Sequence, residues 1–145
     1  MSLKKQSLGT LLVRSNIYDK RGYMAKILVV DDSESQRTQL KADLESGSHS
    51  VIEASDGHDG LEKLEKNSDI GLIICDVNMP GMDGLTMCSK IKQSGKHLDI
   101  PIFMLTSEAT IELKKTAKEY GVRAWITKPY VAAKLLEALS KVIKK

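Results

Sequence analysis

Three carboxylates, one hydroxyl and one ammonium stand at the ends of separate apolar runs in this sequence, and those residue types together define a chemistry. Ile27-Leu-Val-Val30 is followed by Asp31-Asp32, Leu72-Ile-Ile-Cys75 by Asp76, Phe103-Met-Leu105 by Thr106-Ser107, and Ala124-Trp-Ile126 leads to Lys128-Pro129. Carboxylates crowded together repel one another, and at least one pKa climbs unless a cation joins them. A divalent metal relieves that repulsion. Oxygen ligands with no His or Cys nearby favour Mg2+, which keeps several waters and takes one or two carboxylates together with phosphate oxygens. With Thr106 as hydroxyl donor and Lys128 as cation, the set can stabilise the equatorial oxygens of a transferring phosphoryl group. Such transfer needs mainly positioning and charge neutralisation, and a carboxylate can itself be the nucleophile, giving an acyl phosphate.

These residues meet only if the chain folds to bring them together. From Met24 onward, short runs rich in Ile, Leu and Val alternate five times with amphipathic segments of helical period. The pattern predicts strands near 26–31, 50–54, 71–76, 100–106 and 122–127, and helices near 34–46, 57–66, 84–94, 110–120 and 130–144. Strands one, three and four are nearly all apolar, as expected of parallel strands covered on both faces. The fold class is therefore α/β, a doubly wound parallel sheet. Ligands bind outside the carboxyl ends of the strands in such sheets, which is where the five residues lie. Gly47, Gly95 and Gly121 fall just past helical segments, where a left-handed residue can close a helix. The last segment sets Leu135, Leu136, Leu139, Val142 and Ile143 on one face and places lysines near its end, a favourable arrangement for the helix dipole.

Composition narrows the alternatives. The 145 residues, 41% hydrophobic and 28% charged, suit one soluble domain. Aromatics are only 4%, so the core is expected to be Ile, Leu, Val, Ala and Met. Cys75 and Cys88 form no C-x-x-C pair and no metal-ligand spacing, and they read as small core residues in a reducing cytoplasm. Residues 1 to 24 carry +4, so the remaining 121 sum to −1 although the whole chain is +3. The basic balance thus belongs to residues 1–23, read as a dispensable leader with an alternative start at Met24 and followed by a domain over 24–145. A nucleic-acid-binding role for the domain loses its support. The longest apolar runs fall far short of the roughly 20 residues that span a bilayer, so no membrane role is expected.

The run Ile27-Leu-Val-Val-Asp-Asp-Ser33, the block Asp76-Val-Asn-Met-Pro-Gly-Met-Asp-Gly84, the Leu105-Thr-Ser107 strand end and Lys128-Pro129-Tyr130 together resemble the receiver domain of two-component response regulators, over about residues 25 to 145. The resemblance implies a flavodoxin-like (βα)5 sheet in strand order 2-1-3-4-5. It implies that Asp76 accepts the phosphoryl group and that Asp31 and Asp32 hold Mg2+ with Asp76 and the main-chain carbonyl of Asn78. Thr106 matches the hydroxyl that moves to the phosphoryl group, Lys128 the lysine that pairs with it, and Pro129 a position with a cis peptide. The side chains of Asn78 and Glu108 match positions that set how fast water hydrolyses the acyl phosphate. Trp125 falls where the family usually has Tyr or Phe, the aromatic of the switch. The implied partners are a sensor histidine kinase or phosphotransfer protein and a downstream protein met through 110–120, 122–127 and 130–144. The chain ends with its fifth helix, so no output domain is expected.

Each residue also has an ordinary reading. Asp31, Asp32 or Ser33 could cap the first helix, Asp83-Gly84 reads as a turn, Thr106-Ser107 could start the fourth helix and Lys128 could be a solvated loop residue. Coincidence of all these at four strand ends is improbable. His49, His58 and His97 lie among polar neighbours without a shared spacing, Met79, Met82, Met87 and Met104 read as gap fillers, and Lys114, Lys115 and Lys118 read as a solvated helix face. A phosphatase with Asp76 as nucleophile would need a second acid two residues on, where Asn78 stands. A phosphorylation-independent module would have a degenerate acidic site. A nucleotide- or flavin-binding domain would need a Gly-rich loop after the first strand, and none is present.

Overall fold

The five-fold alternation of apolar runs and amphipathic segments forms as five strands and five helices. The computed structural model describes residues 24–143, so the leader assigned to 1–23 lies outside the described residues. In chain order the elements are β1 (Lys26–Val30), α1 (Glu34–Ser46), β2 (Ser50–Ala54), α2 (Gly57–Lys66), β3 (Ile70–Cys75), α3 (Gly84–Ser94), β4 (Ile102–Thr106), α4 (Ile111–Glu119), β5 (Val122–Thr127) and α5 (Ala132–Val142). The strands pair in parallel in the order β2-β1-β3-β4-β5. This is the doubly wound order the resemblance implies.

Alternation along β1 explains the two layers. Leu28 and Val30 pack with Leu64 of α2 and with Met87, Cys88 and Ile91 of α3. Ile27 and Val29 pack on the opposite face with Leu40 and Leu44 of α1 and with Leu135 and Leu139 of α5. All four β1 side chains are fully buried, and each contributes about 1.5–3 kcal/mol relative to exposure. Cys75 and Cys88 are free and buried. Burial pushes both thiols up, Cys88 to about 12, so neither is a nucleophile at neutral pH.

The chain leaves β1 toward β2 on one side and returns to β3 on the other. That reversal opens a crevice at the carboxyl ends of β1 and β3, where Asp31 and Asp76 follow.

Helix ends depart from expectation in informative ways. Gly95 and Gly121 are left-handed, but Gly47 has φ −93° and the positive φ of 73° falls on Ser48. The chain therefore turns one residue later than the glycine. Asp83-Gly84 is a helix start rather than a turn, because the Asp83 side chain accepts from the Thr86 N–H at 2.8 Å and caps α3. Likewise Thr110, not Thr106 or Ser107, caps α4. The fifth helix begins at Ala132, since Val131 is still extended. His49 is buried rather than polar in setting, and its Nδ1 accepts from the Ala25 N–H at 3.1 Å, joining the start of β1 to the turn before β2.

Candidate functional site

Main-chain hydrogen bonds carry the parallel ladder one residue past the strands and so fix the site. The Asp31 N–H donates to the Ala54 carbonyl at 3.1 Å, that of Asp76 to Val30 at 3.0 Å and that of Lys128 to Thr106 at 2.9 Å. Each functional side chain therefore leaves a backbone already anchored to its neighbouring strand.

Lys128 is the centre of the cluster. Its ammonium donates to Asp31 Oδ2 at 2.9 Å and to Asp76 Oδ2 at 2.8 Å, and a further N–H meets Gln36 Oε1. The three ion-pair side chains are mostly buried, with Lys128 17% exposed, Asp31 9% and Asp76 11%. Burial opposes the charge on Lys128, but hydrogen bonds to Asp76 and Asp31 and the charges they carry outweigh it and raise the lysine above its ordinary value. It is therefore a fixed cation at neutral pH, not a solvated loop lysine. The Lys128–Pro129 peptide is cis.

The other carboxylate oxygens are held by main chain. Asp31 Oδ1 accepts from the Ser33 N–H at 2.9 Å, and Asp76 Oδ1 from the Asn78 N–H at 3.1 Å. Ser33 itself caps α1, its hydroxyl accepting from the Gln36 N–H. The capping reading thus belongs to Ser33, and Asp31 lines the crevice with Asp76. Asp32 is exposed at the rim.

A second network joins three strand ends through Glu108. Its main-chain N–H donates to the fully buried Thr106 Oγ1 at 3.3 Å, its Oε2 accepts from Asn78 Nδ2 at 3.1 Å, and its carbonyl accepts from the Trp125 indole N–H at 2.9 Å. Trp125 is half-buried and packs against the α2–α3 side of the core. Close approach fixes the loop after Asp76 as well. A Cβ on Gly84 would lie 2.0 Å from the Asp76 carbonyl oxygen, so only glycine permits α3 to start there.

The donor set suits a hard divalent cation. Asp31, Asp32 and Asp76 carry three negative charges against the single Lys128 cation, and all the donors are oxygens. Among the described residues no three Asp, Glu, His or Cys side chains form a ready-made metal cage.

Asp31, Asp76 and Lys128 therefore meet directly, Thr106, Asn78, Glu108 and Trp125 meet in the second network, and Asp32 stands exposed beside them in sequence. Several partners join the cluster that residue type alone did not point to. Gln36, Arg37 and the Tyr130–Asp43 pair are the additions. Arg37 donates to the Asp31 carbonyl at 2.6 Å and to Glu53 Oε1 at 3.2 Å, clamping α1 between β1 and β2. The Tyr130 hydroxyl donates to Asp43 Oδ2 at 2.5 Å. Ser33 with Gln36 three residues later was the one available sign, since it places Gln36 in the first turn of a helix that starts at the rim. Gln36, Asp43 and Tyr130 line, with Asp31, Asp76 and Lys128, a cleft of about 720 Å3.

Comparison with known proteins points to one family. The sequence profile of the response regulator receiver domain matches residues 27–140. Chemotaxis protein CheY1 of Helicobacter pylori is 39% identical over 119 residues, which is 81% of this chain and 96% of that protein. The solved structure of chemotaxis protein CheY4 of Vibrio cholerae superposes with a TM-score of 0.77 at 37% identity, covering 83% of this chain and 99% of that one. The CheX–CheY–BeF3–Mg2+ complex from Borrelia burgdorferi matches with a TM-score of 0.77 at 29% identity, covering 86% and 93%.

Proposed function

The chain belongs to the response regulator receiver domain family, and we propose that it accepts a phosphoryl group on Asp76 from the phosphohistidine of a sensor kinase or phosphotransfer protein, with Mg2+ required. The observation that carries the reading is the ammonium of Lys128 bridging Asp31 and Asp76 beside the buried Thr106. The Borrelia complex supports the cofactor and the acyl-phosphate chemistry by holding Mg2+ together with a beryllofluoride group.

An Asp76 oxygen forms a bond to phosphorus as the bond from phosphorus to the donor's imidazole nitrogen breaks, and the electron pair leaves on that nitrogen. Lys128 and the Thr106 hydroxyl neutralise charge on the phosphoryl oxygens. Asp31, Asp32, Asp76 and the Asn78 carbonyl would hold the metal, which supplies the remaining positive charge. Hydrolysis returns the carboxylate, with the Asn78–Glu108 pair governing access of the attacking water. The domain catalyses its own phosphorylation and dephosphorylation and turns over no external metabolite.

Phosphorylation then shifts a pre-existing equilibrium through Thr106 and Trp125. Output is a protein contact over α4, β5 and α5. Ile111 and Val131, 80% and 58% exposed, give that surface its apolar points. No helix among the described residues is long and apolar enough to cross a membrane.

The test is the intact mass after incubation with acetyl phosphate and magnesium and a rapid acid quench. One added phosphoryl group is expected, absent in Asp76→Asn and without magnesium. A chain beginning at Met24 should be labelled like the full chain. Continued labelling of Asp76→Asn would refute the assignment.

A further inference from the structure

An ammonium has three N–H donors and no acceptor, so its position is determined once three acceptors surround it. Two of those for Lys128 are carboxylate oxygens of Asp31 and Asp76, and the third is the side-chain amide oxygen of Gln36. We propose that Gln36 is a positioning residue for phosphoryl transfer, holding the third N–H of Lys128 so that the other two stay aimed at Asp31 and Asp76. This rests on the reading of Asp76 as phosphoacceptor.

The local wiring of α1 frees Gln36 for this role. Ser33-Glu-Ser-Gln36 has the spacing of a capping box, in which the Gln side chain would turn back to the N–H of the cap residue. Here the Ser33 N–H is already taken by Asp31 Oδ1 at 2.9 Å, while the Ser33 hydroxyl still accepts from the Gln36 N–H. The main chain of Gln36 is thus held by the cap and its side chain is released toward Lys128. The adjacent Arg37 anchors the same turn to the Asp31 carbonyl and to Glu53. Gln36 therefore projects from a rigid element, which a positioning group needs.

The amide also suits the charge balance of the site. It accepts a hydrogen bond without adding a further negative charge to three carboxylates. The lysine stem is long and flexible, and the site opens into the cleft of about 720 Å3 that Gln36 lines. Without the amide, water from that cleft would compete for the third donor.

The experiment is a double-mutant cycle in the full chain. The rate constant for phosphoryl uptake from phosphoramidate with magnesium is read by acid-quenched intact mass for wild type, Gln36→Met, Lys128→Ala and the double variant. Gln36 is exposed, so Gln36→Met should remain folded with at most the small loss of stability of one hydrogen bond, checked by thermal unfolding. Gln36→Met is expected to slow uptake about tenfold, the lower range for one charge-assisted hydrogen bond, and to add no further loss in the Lys128→Ala background. Equal losses in both backgrounds would assign Gln36 a structural role and overturn the proposal. In metal-free protein, the exchange-protected ammonium resonance of Lys128 should be present in wild type and Gln36→Glu and absent in Gln36→Met. Its persistence in Gln36→Met would likewise overturn it. A wild type that labels on Asp76 with Gln36→Met at full speed removes this inference alone, whereas a wild type that takes up no phosphoryl group removes the phosphoacceptor reading with it.

Discussion

The indole N–H of Trp125 donates at 2.9 Å to the main-chain carbonyl of Glu108, tying β5 to the loop that follows Thr106. A Phe at this position could not make that bond, and a Tyr would have to reach the carbonyl with its hydroxyl instead. Because Glu108 also engages Thr106 and Asn78, on the proposed reading any movement of Thr106 toward a phosphoryl group would pull on the loop that holds the indole.

Trp125 is the single tryptophan, so its emission reports on that loop alone. On the proposed reading, beryllium fluoride with magnesium shifts the emission of wild type and leaves Asp76→Asn unchanged. Trp125→Phe should cost about 1 kcal/mol in urea unfolding through loss of the indole hydrogen bond.

Removing Lys128 leaves Asp31 and Asp76 facing one another without their cation. Lys128→Ala is expected to lower stability by about 3 kcal/mol in metal-free buffer, the scale for breaking a buried ion pair from one side. Magnesium should restore much of that loss and bind more tightly than to wild type, because no ammonium competes for the same oxygens. Urea melts with and without magnesium check both effects, and a metal-free stability equal to wild type would contradict the bridging role.

Gly84 allows α3 to start against the carbonyl of Asp76, at a distance where a Cβ would lie 2.0 Å from the oxygen. Relief requires a backbone shift rather than a rotamer change. Gly84→Ala should therefore cost at least about 3 kcal/mol, in the upper range for single substitutions, and slow phosphoryl uptake by displacing Asp76. Denaturant unfolding and the labelling assay measure the two effects separately.

Tyr130 predicts a dependence on alkaline pH. Burial, the hydrogen bond to Asp43 and the charge of that carboxylate raise its phenol well above the usual tyrosine value. The folded state thus holds the proton more tightly than the unfolded chain, and the contribution is fully present below the unfolded pKa of about 10. It is lost progressively as pH rises through the raised folded pKa. Tyr130→Phe should cost about 1 kcal/mol at pH 7 and flatten the decline in stability above pH 10, measured by thermal unfolding across that range.

Sequence by itself determined a great deal of this protein, because burial on both faces forces parallel strands to be continuous apolar runs. Those runs located β1, β3 and β4 and the polar residues that end them, while the edge strands β2 and β5, only partly buried, were legible from their place in the alternation with helical segments. Asp31, Asp76, Thr106 and Lys128 were legible because each breaks an apolar pattern at a place where the fold exposes a rim. Tertiary structure alone decided how the polar atoms are paired. The bond from Lys128 to Asp31 spans 97 residues and that to Gln36 spans 92, separations at which no local periodicity constrains partners. The same holds for the choice of Ser33 over the aspartates as cap, since which oxygen caps depends on where the strand ladder ends. It holds also for Gly84, whose need is visible only when α3 meets the Asp76 carbonyl. Patterns of burial are written along the chain, whereas hydrogen-bond partners are chosen by whatever polar groups the finished fold brings within about 3 Å.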